Sequence, residues 1–275
     1  MRGEAADIVR GEGLSVRFGA VTALDRVDFV VHAGEVVALV GDNGAGKSTL
    51  VKLLSGVHRA SDGVLRVRGT ATTLASPREA VRLGIATIYQ DLALADNLSV
   101  TENVFLGCEA TARVLGVPIL RRARMRSRVR SLLDGLDAHI ADPDAKVSVL
   151  SGGQRQAVAI SRALNLAADL VIMDEPTAAL AVGETRKVLA LVRQLRDQGK
   201  GVVLVSHNIA EVFEVADRIV VLRRGRKVAD TVPQATTHEE IIAFITGAHP
   251  SLRNVEQSGA AARTDIPPAL ERRLA

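Results

Sequence analysis

The sequence predicts an α/β fold built on a mainly parallel core sheet, with an antiparallel β region and an inserted helical subdomain. Three observations carry that prediction. "EVVALV" (35–40) is a compact apolar strand that runs straight into "GDNGAGKST" and then into a helix. "DLVIMDE" (169–175) and "GVVLVSH" (201–207) are two more continuous apolar runs, the kind found in strands covered on both faces. Between them lies an amphipathic helix, with Val188, Leu191, Val192 and Leu195 at helical spacing and an end near Gly199.

The remaining elements follow along the chain. Residues 14–33 predict two short strands, "LSVRF" and "RVDFVV", with Val27, Phe29 and Val31 alternating in the second. The helix after the glycine-rich loop carries Leu50, Leu53 and Leu54 on one face and stops near Gly56. "GIATIY" reads as another short strand, and "DRIVVLRRGRKVA" as a hairpin turning at Arg224–Gly225. The stretch 91–162 is helix-leaning and forms the expected inserted subdomain of a unit spanning 1–249. The tail, 250–275, mixes Pro, Gly, Ser and charge without periodicity, which predicts disorder.

Composition narrows the function classes. The chain has 275 residues, 47% of them hydrophobic and 24% charged, enough to bury a substantial core. Aromatic residues are only 2%, which argues against a surface that stacks single-stranded bases. The net charge of +4 is concentrated in "RRARMRSRVR" (121–130). A solvated helix face, or contact with an acidic partner, explains that run better than a nucleic-acid arm does. No nucleic-acid partner is expected. The single cysteine, Cys108, excludes an internal disulfide, suits a reducing compartment and is expected to be a small buried side chain. "MRGEAADIVR" lacks the apolar core of a signal peptide, and the apolar runs fall short of the roughly 20 residues that span a bilayer.

"GDNGAGKS" matches the pattern G-x-x-x-x-G-K-[ST] in its required setting, between a predicted strand and a predicted helix. Gly41, Gly44 and Gly46 let the backbone curl so that its amides face phosphate oxygens. Asp42, Asn43, Ala45 and Thr49 complete the loop, Lys47 reaches the β- and γ-phosphates, and the Ser48 hydroxyl ligates Mg²⁺. Asp174 closes an apolar strand where such sheets bind ligands, and there it orients Mg²⁺ and its waters. Glu175, one residue on, is placed to polarise an attacking water. His207 ends "GVVLV" and can donate to a γ-phosphate oxygen; Gln90, after "GIATIY", can meet Mg²⁺ or the lytic water. The five other histidines show no paired zinc spacing. A second small-residue helix start, "LSGGQ" (150–154), supplies Ser151, Gly152, Gly153 and Gln154 as another phosphate seat.

Together these residues resemble the ATP-binding subunits of ABC transporters: "GDNGAGKST" as Walker A, Gln90 as the Q-loop, "LSGGQ" as the signature, "DLVIMDE" as Walker B and "SH" as the switch histidine, all in the family's order over roughly residues 8–247. "ATIYQDLALADNLSVTENVFLG", "DEPTAAL" and "VSHNIAEVFEVADRI" are similar to the sugar-import branch, ribose- and fructose-type, in its single-domain form. The resemblance implies a homodimer with two composite ATP sites. In each, Ser151, Gly152 and Gly153 of one copy cap the nucleotide held by the other's Walker A loop. It further implies Mg²⁺, an integral membrane permease, a sugar-binding protein met indirectly, and a place on the cytoplasmic face of the cell membrane. Phe18 matches the position that stacks on adenine, with ordinary core packing as the competing role. One departure stands out: the loop after Walker B reads "AALA", with Ala179 and Ala181 where the family has Ser and Asp. A soluble ABC ATPase acting on DNA or the ribosome would carry long coiled-coil insertions or tandem units, and a P-loop kinase would lack "LSGGQ".

Overall fold

The computed structural model describes residues 6–114, 117–178 and 180–252. Ala179 and nearly all of the 250–275 tail therefore lie outside the described residues.

Two long strands, β1 (Asp7–Phe18) and β2 (Val21–His32), form an antiparallel pair, followed by β3 (Val36–Val40) and α1 (Lys47–Leu54). Next come β4 (Asp62–Val67), β5 (Thr70–Ala71), α2 (Pro77–Arg82), β6 (Ile85–Ile88) and α3 (Val100–Phe105). A small antiparallel pair, β7 (Thr111–Val114) and β8 (Val117–Leu120), leads into α4 (Arg122–Gly135) and α5 (Gly152–Asn165). The chain then alternates through β9 (Leu170–Asp174), α6 (Val182–Asp197), β10 (Gly201–Val205) and α7 (Ile209–Val215). It closes with the hairpin β11 (Arg218–Arg223) and β12 (Arg226–Thr231) and with α8 (His238–Thr246).

The strands make a four-stranded sheet, β2-β1-β4-β5, and a six-stranded sheet, β12-β11-β3-β10-β9-β6. In the larger sheet β11, β3, β10, β9 and β6 are parallel, and β12 is antiparallel at the edge. Its central strands β3, β9 and β10 are almost wholly apolar because both faces are covered, while alternate residues still go to opposite sides. Val37, Leu39, Leu170, Ile172, Val203 and Val205 join α1 and the four-stranded sheet in one core. Val171, Met173, Val202 and Leu204 pack on the other side against α5 and α6, and Ala38, Val40, Ile219 and Val221 against α7 and α8.

Two regions depart from the sequence reading. The first strands are longer than "LSVRF" and "RVDFVV". Register shifts near Gly11 and Leu14 let β1 keep pairing with both β2 and β4 where the side-chain alternation lapses. Within 91–162, β7 and β8 are strands in a stretch read as helical, and α5 runs past 162 to Asn165. The β7–β8 pair gives no alternating signal because Val117–Leu120 are all exposed. Cys108, read as buried, is only partly so, packed against the cluster around α3 and α4, with Asn165 Nδ2 3.5 Å from its sulfur.

The arginine run lies on α4, where Met125 and Val129 turn inward and Arg121, Arg122, Arg124, Arg126, Arg128 and Arg130 are exposed. The hairpin turn falls at Arg224–Gly225, both with positive φ (49° and 78°), the geometry of a two-residue connection.

The start of α3 is held by a reciprocal cap: Glu102 N donates to Ser99 Oγ at 3.1 Å, and Ser99 N to Glu102 Oε2 at 2.9 Å. Behind it, fully buried Asn103 ties down the preceding loop. Its Oδ1 accepts from Ala95 N (2.8 Å), and its Nδ2 donates to the carbonyls of Ala95 (3.0 Å) and Ser99 (3.0 Å). Asn103→Ala leaves those groups without partners and should cost about 2–3 kcal/mol, read as a lower urea midpoint with an unchanged m-value.

Candidate functional site

Parallel strands that end level with one another place their following residues in one crevice. Leu39 of β3 lies opposite Val205 of β10, Val205 opposite Asp174 of β9, and Met173 opposite Ile88 of β6. Gly41, Asp174, Glu175, His207 and Gln90 therefore emerge at the same edge. The glycine-rich loop continues from β3 and closes at Gly46, the left-handed N-cap of α1, which offers no side chain to cap the helix. Its first-turn amides are thus left for an outside acceptor.

Two glycines are required by close approach. A Cβ on Gly41 (φ 153°) would sit 2.3 Å from the Leu222 carbonyl oxygen, and one on Gly46 (φ 108°) 2.8 Å from that of Ala23. The β11–β12 turn braces the loop from outside: Gly225 N donates to Ala45 O at 2.9 Å, and Asp25 N to Gly225 O at 2.8 Å. Lys47 is buried, and its Nζ donates to the carbonyls of Gly41 (2.8 Å) and Asp42 (3.0 Å). Burial holds its pKa below the usual lysine value, against the opposing pull of Glu175, Asp174 and Asp42. Ser48, Asp42, Asn43 and Gly44 are exposed, and Thr49 is half-buried.

Asp174 is half-buried, and burial, with the nearby Glu175 charge, holds its carboxyl above the usual aspartate range; Lys47, His207 and Lys52 act in the opposite direction. Glu175 takes a left-handed backbone (φ 52°), uncommon for a residue with a Cβ, and is locked there by a hydrogen bond from its amide to Val205 O at 2.9 Å. That turn aims its carboxylate across the strand ends at His207, Nε2 to Oε1 2.7 Å. Beside them is a cavity of about 580 Å³ lined by Thr177, Leu180, Thr185, Asn208 and Glu211 among others. Thr177 Oγ1 donates to Glu211 Oε2 at 2.6 Å, and the Asn208 side chain caps α7, so the two loops that carry Glu175 and His207 are tied together.

Gln90 is exposed, two residues past β6, with Tyr89 OH 3.2 Å from Ser55 Oγ behind it. Phe18 is 47% exposed at the end of β1, its ring edge-on to His58 with centroids 5.0 Å apart. Core packing is therefore not its role.

The "LSGGQ" residues are not brought to this cluster. Ser151 caps α5, accepting from Gln154 N (3.4 Å) while its own amide donates to Gln154 Oε1 (3.0 Å). Gln154 Nε2 donates to His139 O at 2.9 Å. Ser151, Gly153 and Gln154 line a separate cavity of about 430 Å³, against Lys187, Leu191 and Gln194 of α6, whereas Val182, Thr185 and Leu189 of the same helix border the cavity beside Glu175. Among the described residues, no hydrogen bond or ion pair joins Ser151–Gln154 to Lys47, Asp174, Glu175 or His207.

Three contributors escape the sequence patterns. Gly225 and Asn208 look like ordinary turn and cap residues. Glu184 occupies the first turn of α6, whose N-cap, Ala181, has no side-chain acceptor. The carboxylate lies at the start of α5 instead, its Oε1 accepting from Gly153 N at 3.4 Å. A glutamate three residues after an alanine is the signal: a first-turn acid without its usual capping partner.

A buried parallel sheet, a glycine loop at a helix start and an acid-histidine pair at the strand ends define a P-loop nucleotide-binding domain. The sequence profile of the ABC transporter family matches residues 24–178, and the chain belongs to that family. It is 47% identical over 241 residues to a xylose/arabinose import ATP-binding protein of Sulfolobus acidocaldarius, covering 88% of this chain and 94% of that one. A fructose import ATP-binding protein of Rhizobium meliloti is 45% identical over 245 residues, with the same coverage of 88% and 94%. Among solved structures, a dimeric post-hydrolysis ATP-binding cassette bound to ADP and phosphate superposes with a TM-score of 0.67 at 25% identity, covering 82% of this chain and 98% of that one.

Because the folded state favours the protonated form of Asp174, its ionisation at neutral pH opposes folding. Asp174→Asn should raise the melting temperature of the nucleotide-free protein at pH 7 by on the order of 2 °C. The gain should vanish below the pKa of an unfolded aspartate, where both proteins carry a neutral group. Thermal melts at neutral and acid pH check both halves.

Proposed function

We propose that this protein is the ATP-hydrolysing subunit of a sugar importer, working as a homodimer with two composite sites on the cytoplasmic face of a membrane permease. The observation that carries the reading is the 2.7 Å pairing of Glu175 with His207 at the strand ends, beside a glycine loop with an uncapped helix start. The relatives' identities as sugar-import ATP-binding proteins support the choice of a sugar, delivered through the permease by an external sugar-binding protein. No helix among the described residues is long and apolar enough to cross a membrane, which fits a subunit that works beside a permease. In this reading residues 1–249 form the ATP-binding unit and the 91–162 region its helical arm.

The loop amides of residues 41–49 and Lys47 hold the β- and γ-phosphates, and Phe18 stacks on adenine. The oxygens of Ser48, Gln90 and Asp174 suit Mg²⁺, which arrives with ATP, keeps several waters and needs few protein carboxylates. Among the described residues no cluster of three His, Cys, Asp or Glu side chains forms a closed metal cage. When bound, Mg²⁺ offsets phosphate charge. Glu175 accepts a hydrogen bond from the lytic water. The water oxygen bonds to the γ-phosphorus as the bond to the β,γ-bridging oxygen breaks, its electron pair leaving with ADP, while one water proton passes to the Glu175 carboxylate and the other stays on the phosphate. His207, once released from Glu175, donates to the γ-phosphate. Ser151, Gly152 and Gly153 of the other copy complete the cage with a helix N-terminus.

ATP bridging both copies binds the closed dimer better than the open one and shifts the population towards it; hydrolysis removes the bridge. Glu175→Gln should retain ATP binding, lose at least about 100-fold in turnover and accumulate an ATP-bound dimer on size-exclusion chromatography. Near-normal hydrolysis would remove Glu175 from its role. Ser151→Arg should abolish hydrolysis while the single chain still binds ATP, measured with a fluorescent analogue; an unchanged rate would place the signature away from the phosphate.

A further inference from the structure

The β7–β8 pair and the start of α4 form a surface that the ATP reading leaves without a task. Successive residues of a strand point to opposite faces, so a strand on a protein body buries one set. In β8 neither set is buried: Val117 is 60% exposed, Ile119 50% and Leu120 44%, and Pro118 is exposed as well. The pair has only its own two strands, and such hairpins gain little stability in water without something to cover them. Arg121 N donates to Ala110 O at 2.8 Å, fixing the base of the pair to the helix that follows.

That helix begins against its own dipole. Arg121 has no capping side chain, the first turn holds no acid, and Arg122 and Arg124 add positive charge where an anion is favoured. Acidic neighbours answer only part of it: Arg126 pairs with Asp144, and Arg122 feels Glu102. Arg121, Arg124, Arg128 and Arg130 have no ion-pair partner among the described residues.

We propose that β8 and the α4 arginines form a docking surface for the anionic headgroup layer of a lipid bilayer. Exposed aliphatic residues on both faces of one strand suit a medium that surrounds them, as the headgroup–acyl boundary does, better than a protein groove that covers one side. The arginines supply the matching charge for acidic headgroups. The surface is independent of the nucleotide residues and holds whether or not the substrate is a sugar.

The test is co-sedimentation of the purified full chain with vesicles of phosphatidylcholine alone and of phosphatidylcholine mixed with phosphatidylglycerol. The chain should sediment with the anionic vesicles only, less so as salt rises. The triple variant Arg121→Gln, Arg124→Gln, Arg128→Gln should lose at least about tenfold in binding, and the three corresponding lysine substitutions should restore it. Val117→Asp with Ile119→Asp should also release the protein while leaving its ATPase rate and melting temperature unchanged. Absence of binding to anionic vesicles overturns the proposal, as do variants that bind like the parent. If those variants bind vesicles normally yet fail to assemble with the co-expressed permease, the surface belongs to a protein partner and the lipid assignment is wrong. Loss of ATPase activity in Glu175→Gln with intact vesicle binding separates this surface from the catalytic reading.

Discussion

The register of β9 against β10 is the constraint on which the site rests. Val205 lies opposite Asp174, and the Glu175 amide continues the pairing onto the Val205 carbonyl. A slip of one residue would exchange the two faces of β9, sending Leu170 and Ile172 from the α1 side to the α5–α6 side and moving the acids off the strand end. The register is held because both faces are buried: large apolar residues on each side have no alternative position. The left-handed turn at Glu175 is tolerable only on such a fixed base. Core packing and catalytic geometry are one problem in this fold.

The start of α5 is held apart from the strand-end cluster by α6, which presents different faces to the two cavities. Within one chain the α5 N-terminus has Glu184 for company, with Gly153 N 3.4 Å from its carboxylate. A carboxylate there satisfies the same helix end that would otherwise attract a phosphate. In the proposed composite site, a γ-phosphate brought by a second copy would meet that negative charge. Ala181, standing where the family has an aspartate, leaves Glu184 without a local cap and free to take this position.

Much of this was legible in the sequence because the signals are local. The glycine loop, its lysine and serine, the two strand-end acids and His207 lie in short motifs whose neighbours decide their conformation. The apolar runs of β3, β9 and β10 are covered on both faces and read as continuous blocks. What escaped depends on distant partners. β1 is prolonged through Gly11 and Gly13 by pairing on two sides, which no alternation in its own residues reveals. β8 is exposed on both faces and so lacks any period. Gly225 and Glu184 act through elements far away in the chain, and their residue types alone describe only a turn and a helical surface, while Asn208 caps its own helix α7.

The central claim is that each ATP is enclosed by the glycine loop of one copy and the α5 start of another. The most direct measurement is thiol crosslinking between Asn43→Cys and Ser151→Cys in a chain carrying Cys108→Ala and Glu175→Gln, with a short bifunctional reagent. The account predicts a covalent dimer that forms with ATP and Mg²⁺ and is nearly absent without nucleotide. Crosslinks confined to single chains, or a dimer yield indifferent to ATP, would contradict it.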